Sequence, residues 1–195
     1  MESGKIFYLI GKSCAGKDTI YKNLMEQQSF HTMVLYTTRP MRDGEVEGRE
    51  YHFVTEKEMQ ELEREDRVIE RRSYNTVQGL WHYFTVDDGQ LDTQKGHYLL
   101  LGTLESYKKM REYYGEENVV PLYIEVEDGM RLERALCRER QQKKPNYTEL
   151  CRRYLADEED FSDENLLACG IEKRYQNNKL EDCLKELILY IEEYR

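Results

Sequence analysis

The chain has 195 residues, 39% of them hydrophobic, which suits one compact domain with small insertions rather than several. Its 29 Lys+Arg against 39 Asp+Glu leave a net charge of -10, which argues against sequence-independent nucleic-acid binding because such surfaces need a positive excess. Five scattered cysteines without a C-x-x-C pair point to neither a zinc site nor a disulfide framework. No signal peptide precedes the first motif, and no apolar run approaches the roughly 20 residues that span a bilayer, so a soluble cytoplasmic protein is expected.

The apolar run Ile6 to Ile10 reads as a buried strand and leads directly into GKSCAGKDT, Gly11 to Thr19, in the frame G-x-x-x-x-G-K. Ile20, Leu24 and Met25 then follow at helical spacing. Strand, glycine loop and helix together make a phosphate-binding loop: Gly11 and Gly16 let backbone N–H groups face an anion, Lys12, Ser13, Cys14 and Ala15 supply the turn, and Lys17 neutralises phosphate charge. Asp18 stands where a hydroxyl is usual, with Thr19 one residue late. A carboxylate is itself a hard-cation ligand, so both residues are candidates for a rearranged Mg²⁺ shell beside bound ATP.

Further along, MVLYTT (33–38), HYLLLG (97–102) and VVPLYIEV (119–126) read as further strands of a parallel sheet, with helices such as LESYKKMREYY between them. The pattern is α/β, a parallel sheet covered by helices on both faces. Between Arg39 and Gly96 the rhythm is interrupted by EYHFV, a helix near 55–65, VIERRSY and LWHYFTV, which predict a small mixed α/β insertion. A charged segment broken at Lys144-Pro145-Asn146 predicts two helices, and KLEDCLKELILYIEEY predicts an amphipathic closing helix.

The run RPMRDGEVEGREY, with the loop before it, VIE ending in Glu70, the charged helices and QNNKL, resembles guanylate kinase over nearly the whole chain. The resemblance implies a P-loop core (1–38, 97–136 and 162–195), an inserted GMP-binding subdomain (39–96) and a helical lid (137–161). It further implies Mg²⁺-assisted transfer of a phosphoryl group from ATP to GMP. By the same resemblance Arg39, Arg42 and Tyr51 hold the GMP phosphate, a task that suits guanidinium forks. Glu70 accepts hydrogen bonds from guanine. Tyr83 or Tyr74 replaces a family tyrosine whose place falls at Gln78. Thr103 stands for an acidic residue and Leu35 for a serine near the guanine oxygen. Arg134, Arg138 and Arg153 match arginines that close over the phosphates, with Arg140 and Arg152 as alternatives, and Asn177 lies beside adenine. Lys17, Arg138 and Arg153 are thus the expected catalytic set, ATP and GMP the expected partners. Two other readings stay open: a P-loop kinase for another small phosphorylated acceptor, and a non-catalytic interaction module that binds phosphorylated peptides. Oligomeric state is not legible.

Overall fold

The computed structural model describes residues 3–76 and 79–194. Strand β1 (Ile6–Ile10) is buried along its whole length and is central to a parallel sheet completed by β6 (Tyr98–Leu101), β7 (Val119–Glu125) and β8 (Arg174–Gln176), in the order β6-β1-β7-β8. Because side chains alternate along a strand, Ile6, Tyr8 and Ile10 enter one hydrophobic cluster while Phe7 and Leu9 enter the other. The first face is covered by α3 (Leu104–Tyr114) through Tyr107 and Met110, with Leu166 of α6 (Asp163–Ala168). The second is covered by Ile20 and Leu24 of α1 (Lys17–Gln27) and by Leu184, Leu187 and Ile191 of α7 (Leu180–Glu192). A continuous apolar β1 is the consequence of this two-sided cover.

A second sheet has the order β3-β2-β5-β4, from β2 (Tyr36–Thr37), β3 (His52–Phe53), β4 (Val68–Thr76) and β5 (Gly79–Val86). Helix α2 (Glu56–Arg64) starts in a capping box, in which Thr55 accepts from the Glu58 amide and Glu58 returns the bond. It covers this sheet through Met59 against Phe84 and Val86.

Two expectations need correction. The stretch 33–38 does not form a strand of the parallel sheet: only Tyr36–Thr37 is extended, paired parallel with β3 and antiparallel with β5, so it belongs to the small sheet. Strand β8 has no counterpart among the expected strands. Only three residues long, it follows Gly170 and carries charged and polar neighbours, so no apolar run announces it. Two helices, α4 (Asp128–Arg140) and α5 (Tyr147–Asp160), flank the expected break, where the Asn146 side chain caps α5 by accepting from the Glu149 amide.

Candidate functional site

The loop between β1 and α1 takes a conformation that its glycines permit. Gly11 has φ +152° with the Ile124 carbonyl packed where a Cβ would stand, and Gly16, at φ +89°, caps α1 against the amide of Asn177. Cys14 also sits at positive φ, 65°, an uncommon conformation for a residue with a side chain. Ala15 is buried, and its carbonyl accepts from Asn177 Nδ2 at 2.7 Å. Asn177 is therefore a strut under the loop rather than a helix cap, and its Oδ1 finds no partner among the described residues. Arg134 joins it by donating from Nη2 to the Asn177 carbonyl at 3.0 Å.

Lys17 bridges the loop from within, its ammonium donating to the carbonyls of Gly11 at 2.6 Å and Lys12 at 3.0 Å. One of its three N–H groups remains for an anion. Burial lowers its pKa, opposed by the carboxylates of Asp157 and Asp18. Asp18 and Thr19 are exposed in the first turn of α1, their side chains facing solvent beside the loop.

Helix α5 presses acids against this loop. Asp157 Oδ2 accepts the Ser13 N–H at 2.8 Å, and Glu158 accepts from Lys12 Nζ at 2.8 Å. A phosphate entering the loop competes with these carboxylates for the same donors. Arg131 of α4, whose side chain is 1% exposed, ties the acids down: it contacts Glu158 closely, reaches Asp157 at 3.5 Å and lies 3.9 Å over the Tyr154 ring. None of these three residues belongs to the site expected from the sequence. Helical spacing alone ties two of them to expected residues, Arg131 sharing a face of α4 with Arg134 and Arg138 and Asp157 one of α5 with Arg153, but spacing does not say that the acids reach the loop. Arg138 and Arg153 line a small cavity with Ser13 and Cys14, so both lie beside the loop. Arg152 is instead paired outward with Glu149 at 2.7 and 2.8 Å, and Arg140 is exposed.

Across the cleft, Arg39 is 3% exposed and forks onto Glu45 at 2.5 and 2.7 Å, holding that carboxyl down at about 2. The guanidinium carbon lies 5.1 Å from the Tyr51 ring centre and 5.3 Å from that of Phe53, and its Nε has no partner among the described residues. Tyr51 packs edge-on to Tyr83 at 5.5 Å, and Tyr83 in turn to Tyr74 at 5.7 Å. Arg39, Tyr51, Tyr83 and Tyr74 are thus one contiguous group, while the Arg42 side chain is exposed at its edge. Gln78 lies outside the described residues. Glu70 is buried at the start of β4, its carboxylate paired with Arg72, which the expected site also lacked. Thr103 caps α3, accepting from the Ser106 amide at 3.2 Å.

A cavity of about 590 Å³ joins these halves. Gly11, Ser13 and Lys17 form one wall and Arg72 and Tyr74 of the small sheet another, with Thr103 and Asp157 between. A cleft with loop amides and an ammonium at one end and Arg72 with Tyr74, the outer member of the Arg39 group, at the other can hold two anionic groups close together.

Residues 3–88 match the family model for guanylate kinase. Curated relatives include guanylate kinase of Thermus thermophilus, 37% identical over 71 residues, 36% of this chain and 32% of that protein. Guanylate kinase of Clostridium acetobutylicum is 42% identical over 69 residues, 35% of this chain and 33% of that protein. The chain thus spans about a third of the length of the curated relatives it matches. In fold it is similar to the crystal structure of guanylate kinase from Anaplasma phagocytophilum, with a TM-score of 0.61, 23% identity, and coverage of 98% of this chain and 86% of that one.

Proposed function

We propose that the chain is a nucleoside monophosphate kinase of the guanylate kinase family, which transfers the γ-phosphoryl group of ATP to GMP. The observation that supports this reading is a cavity in which Lys17 of the phosphate loop faces Arg72 and Tyr74 of the small sheet, with Tyr74 packed against Tyr83. In the reaction a GMP phosphate oxygen bonds to the γ-phosphorus as the bond to the β–γ bridging oxygen breaks, and ADP leaves with that electron pair. Such a transfer needs little covalent help and much positioning of positive charge. Lys17 and the loop amides hold the donor phosphates. Arg39, Tyr51 and Tyr83 hold the acceptor phosphate, with the Arg39 Nε as a ready donor. Arg138 and Arg153, beside Ser13 and Cys14, offset the charge that develops between the two nucleotides.

Within this reading residues 39–96 are the acceptor-binding insertion and 137–161 the lid, moving over a core made of the remainder. Asp18 and Thr19 suit Mg²⁺ by their chemistry, a hard carboxylate and a hydroxyl exposed in the first turn of α1 next to the loop. The ion would neutralise phosphate charge there. Among the described residues no group of three or more His, Cys, Asp or Glu side chains could hold a metal alone. No helix of the described chain is long and apolar enough to cross a membrane.

A panel of GMP, AMP, UMP and CMP with ATP and Mg²⁺ tests the reading. GMP should be the favoured acceptor, and Lys17→Ala should lose about 100-fold or more in turnover while GMP binding persists. Absence of GMP phosphorylation by the unaltered protein, or unchanged turnover in the variant, would overturn it.

A further inference from the structure

Residues 70 and 72 of β4 are two apart on a strand and so project to the same side of the sheet. Arg72 uses that placement to fork onto Glu70: Nε donates to Oε2 at 3.0 Å and Nη2 to Oε1 at 3.2 Å. The Thr85 hydroxyl adds a bond to Oε1 at 2.8 Å. Three of the roughly four lone-pair positions of the carboxylate are therefore filled. Both side chains are sheltered, Glu70 at 2% and Arg72 at 13% exposure. The Arg72 bonds to Glu70 use the Nε and Nη2 groups, and Arg72 lines the same cavity as Lys17, Tyr74 and Thr103.

Such a pair offers a hydrogen-bond acceptor and a hydrogen-bond donor side by side. The edge of guanine that pairs in nucleic acids carries the complement: N1–H and the 2-amino group donate, and O6 next to them accepts. On the reading that GMP is the acceptor, we propose that Arg72 is a specificity-determining residue that donates to guanine O6 while Glu70 receives N1–H and the 2-amino group. The longer of the two ion-pair bonds, from Nη2 to Oε1, is the one exchanged as the base enters, and the Nε bond keeps the guanidinium in place. Arginine is well suited to this oxygen, as its frequent use against guanine O6 in DNA recognition shows. Leu35, packed against the core, has no donor to offer it. Adenine fails on both counts: its 6-amino group meets the guanidinium, and its N1 has no hydrogen for Glu70.

Steady-state kinetics of the full chain with GMP, 6-thioguanosine monophosphate and AMP, for the unaltered protein, Arg72→Met and Arg72→Lys, separate this role from others. Sulfur accepts hydrogen bonds more weakly than oxygen, so the unaltered protein should favour GMP over the thio analogue. In Arg72→Met the KM for GMP should rise about 10- to 100-fold with a smaller change in kcat, and the preference over the thio analogue should collapse. Arg72→Lys, which keeps the charge and guards against a folding defect in the methionine variant, should restore part of that preference. An equal loss on both acceptors would make Arg72 a mere support for Glu70, and tighter GMP binding would make it a mere competitor; either overturns the proposal. Failure of the unaltered protein to use GMP would instead overturn the kinase reading, and would be seen before any variant is made.

Discussion

Asp18 is the residue at which the phosphate loop departs from its usual chemistry, and its exposure beside Lys17 sets what it can do. A carboxylate there supports the charge of Lys17, yet it would repel nucleotide phosphates unless a cation stood between them. The consequence is a strong dependence on Mg²⁺. Asp18→Ala should lose activity that excess Mg²⁺ only partly restores, whereas Asp18→Ser should stay close to the unaltered protein in half-saturating Mg²⁺ or need moderately more. Titration of rate against Mg²⁺ checks this, and an alanine variant with unaltered rate and Mg²⁺ dependence would remove Asp18 from the mechanism. At this scale the loop was legible in the sequence because its glycines and lysine answer to backbone geometry alone. Arg72 was not singled out, although its two-residue offset from Glu70 on an expected strand was enough to place it on the same side.

Helices α4 and α5 show how an element can be predicted while its purpose is not. The break between them followed from Lys144-Pro145-Asn146, and the arginines on them pointed toward phosphate. What the sequence did not disclose is that α5 also brings Asp157 and Glu158 to the loop, because a contact between residues 13 and 157 is a matter of tertiary packing. The misplaced segment 33–38 has a similar cause: an apolar run marks a strand without saying which sheet it joins, and here the partners are β3 and β5. Arg131 holds the helical pair together from a nearly solvent-free position, stacked on Tyr154 and facing three carboxylates. Arg131→Met would keep much of the volume and leave those acids repelling one another. Its cost should be about 2 to 3 kcal/mol, below that of breaking a fully buried pair because Glu158 and Asp128 are partly exposed. Urea unfolding measures it, and a change under about 0.5 kcal/mol would show that neither the ion pairs nor the guanidinium stack secures the helices.

At the scale of the whole molecule, a chain of net charge -10 sets Lys17 and Arg72 in the cleft and Arg131, Arg138 and Arg153 around a small neighbouring cavity that shares Ser13 with it, so cations flank the phosphate loop on two sides. The two sheets that meet at this cleft are unequal in stability. The parallel sheet is sandwiched between two extensive hydrophobic clusters, whereas the small sheet has Met59, Phe84 and Val86 as its buried apolar cluster, helped by Tyr36, Val54, Leu62 and Val68 at partial burial. Fewer buried apolar contacts mean a lower free energy of local opening, which suits a part that must admit and release an acceptor. Hydrogen exchange should therefore find the amides of β2, β4 and β5 exchanging faster than those of β1 and β7. GMP alone should slow exchange in β4 and β5, through Glu70 and Tyr83, and leave β1 unchanged, while an ATP analogue should protect the loop and the start of α1. If GMP slowed the parallel sheet and the small sheet equally, the molecule would open as one unit and the acceptor site would not be a separately mobile part.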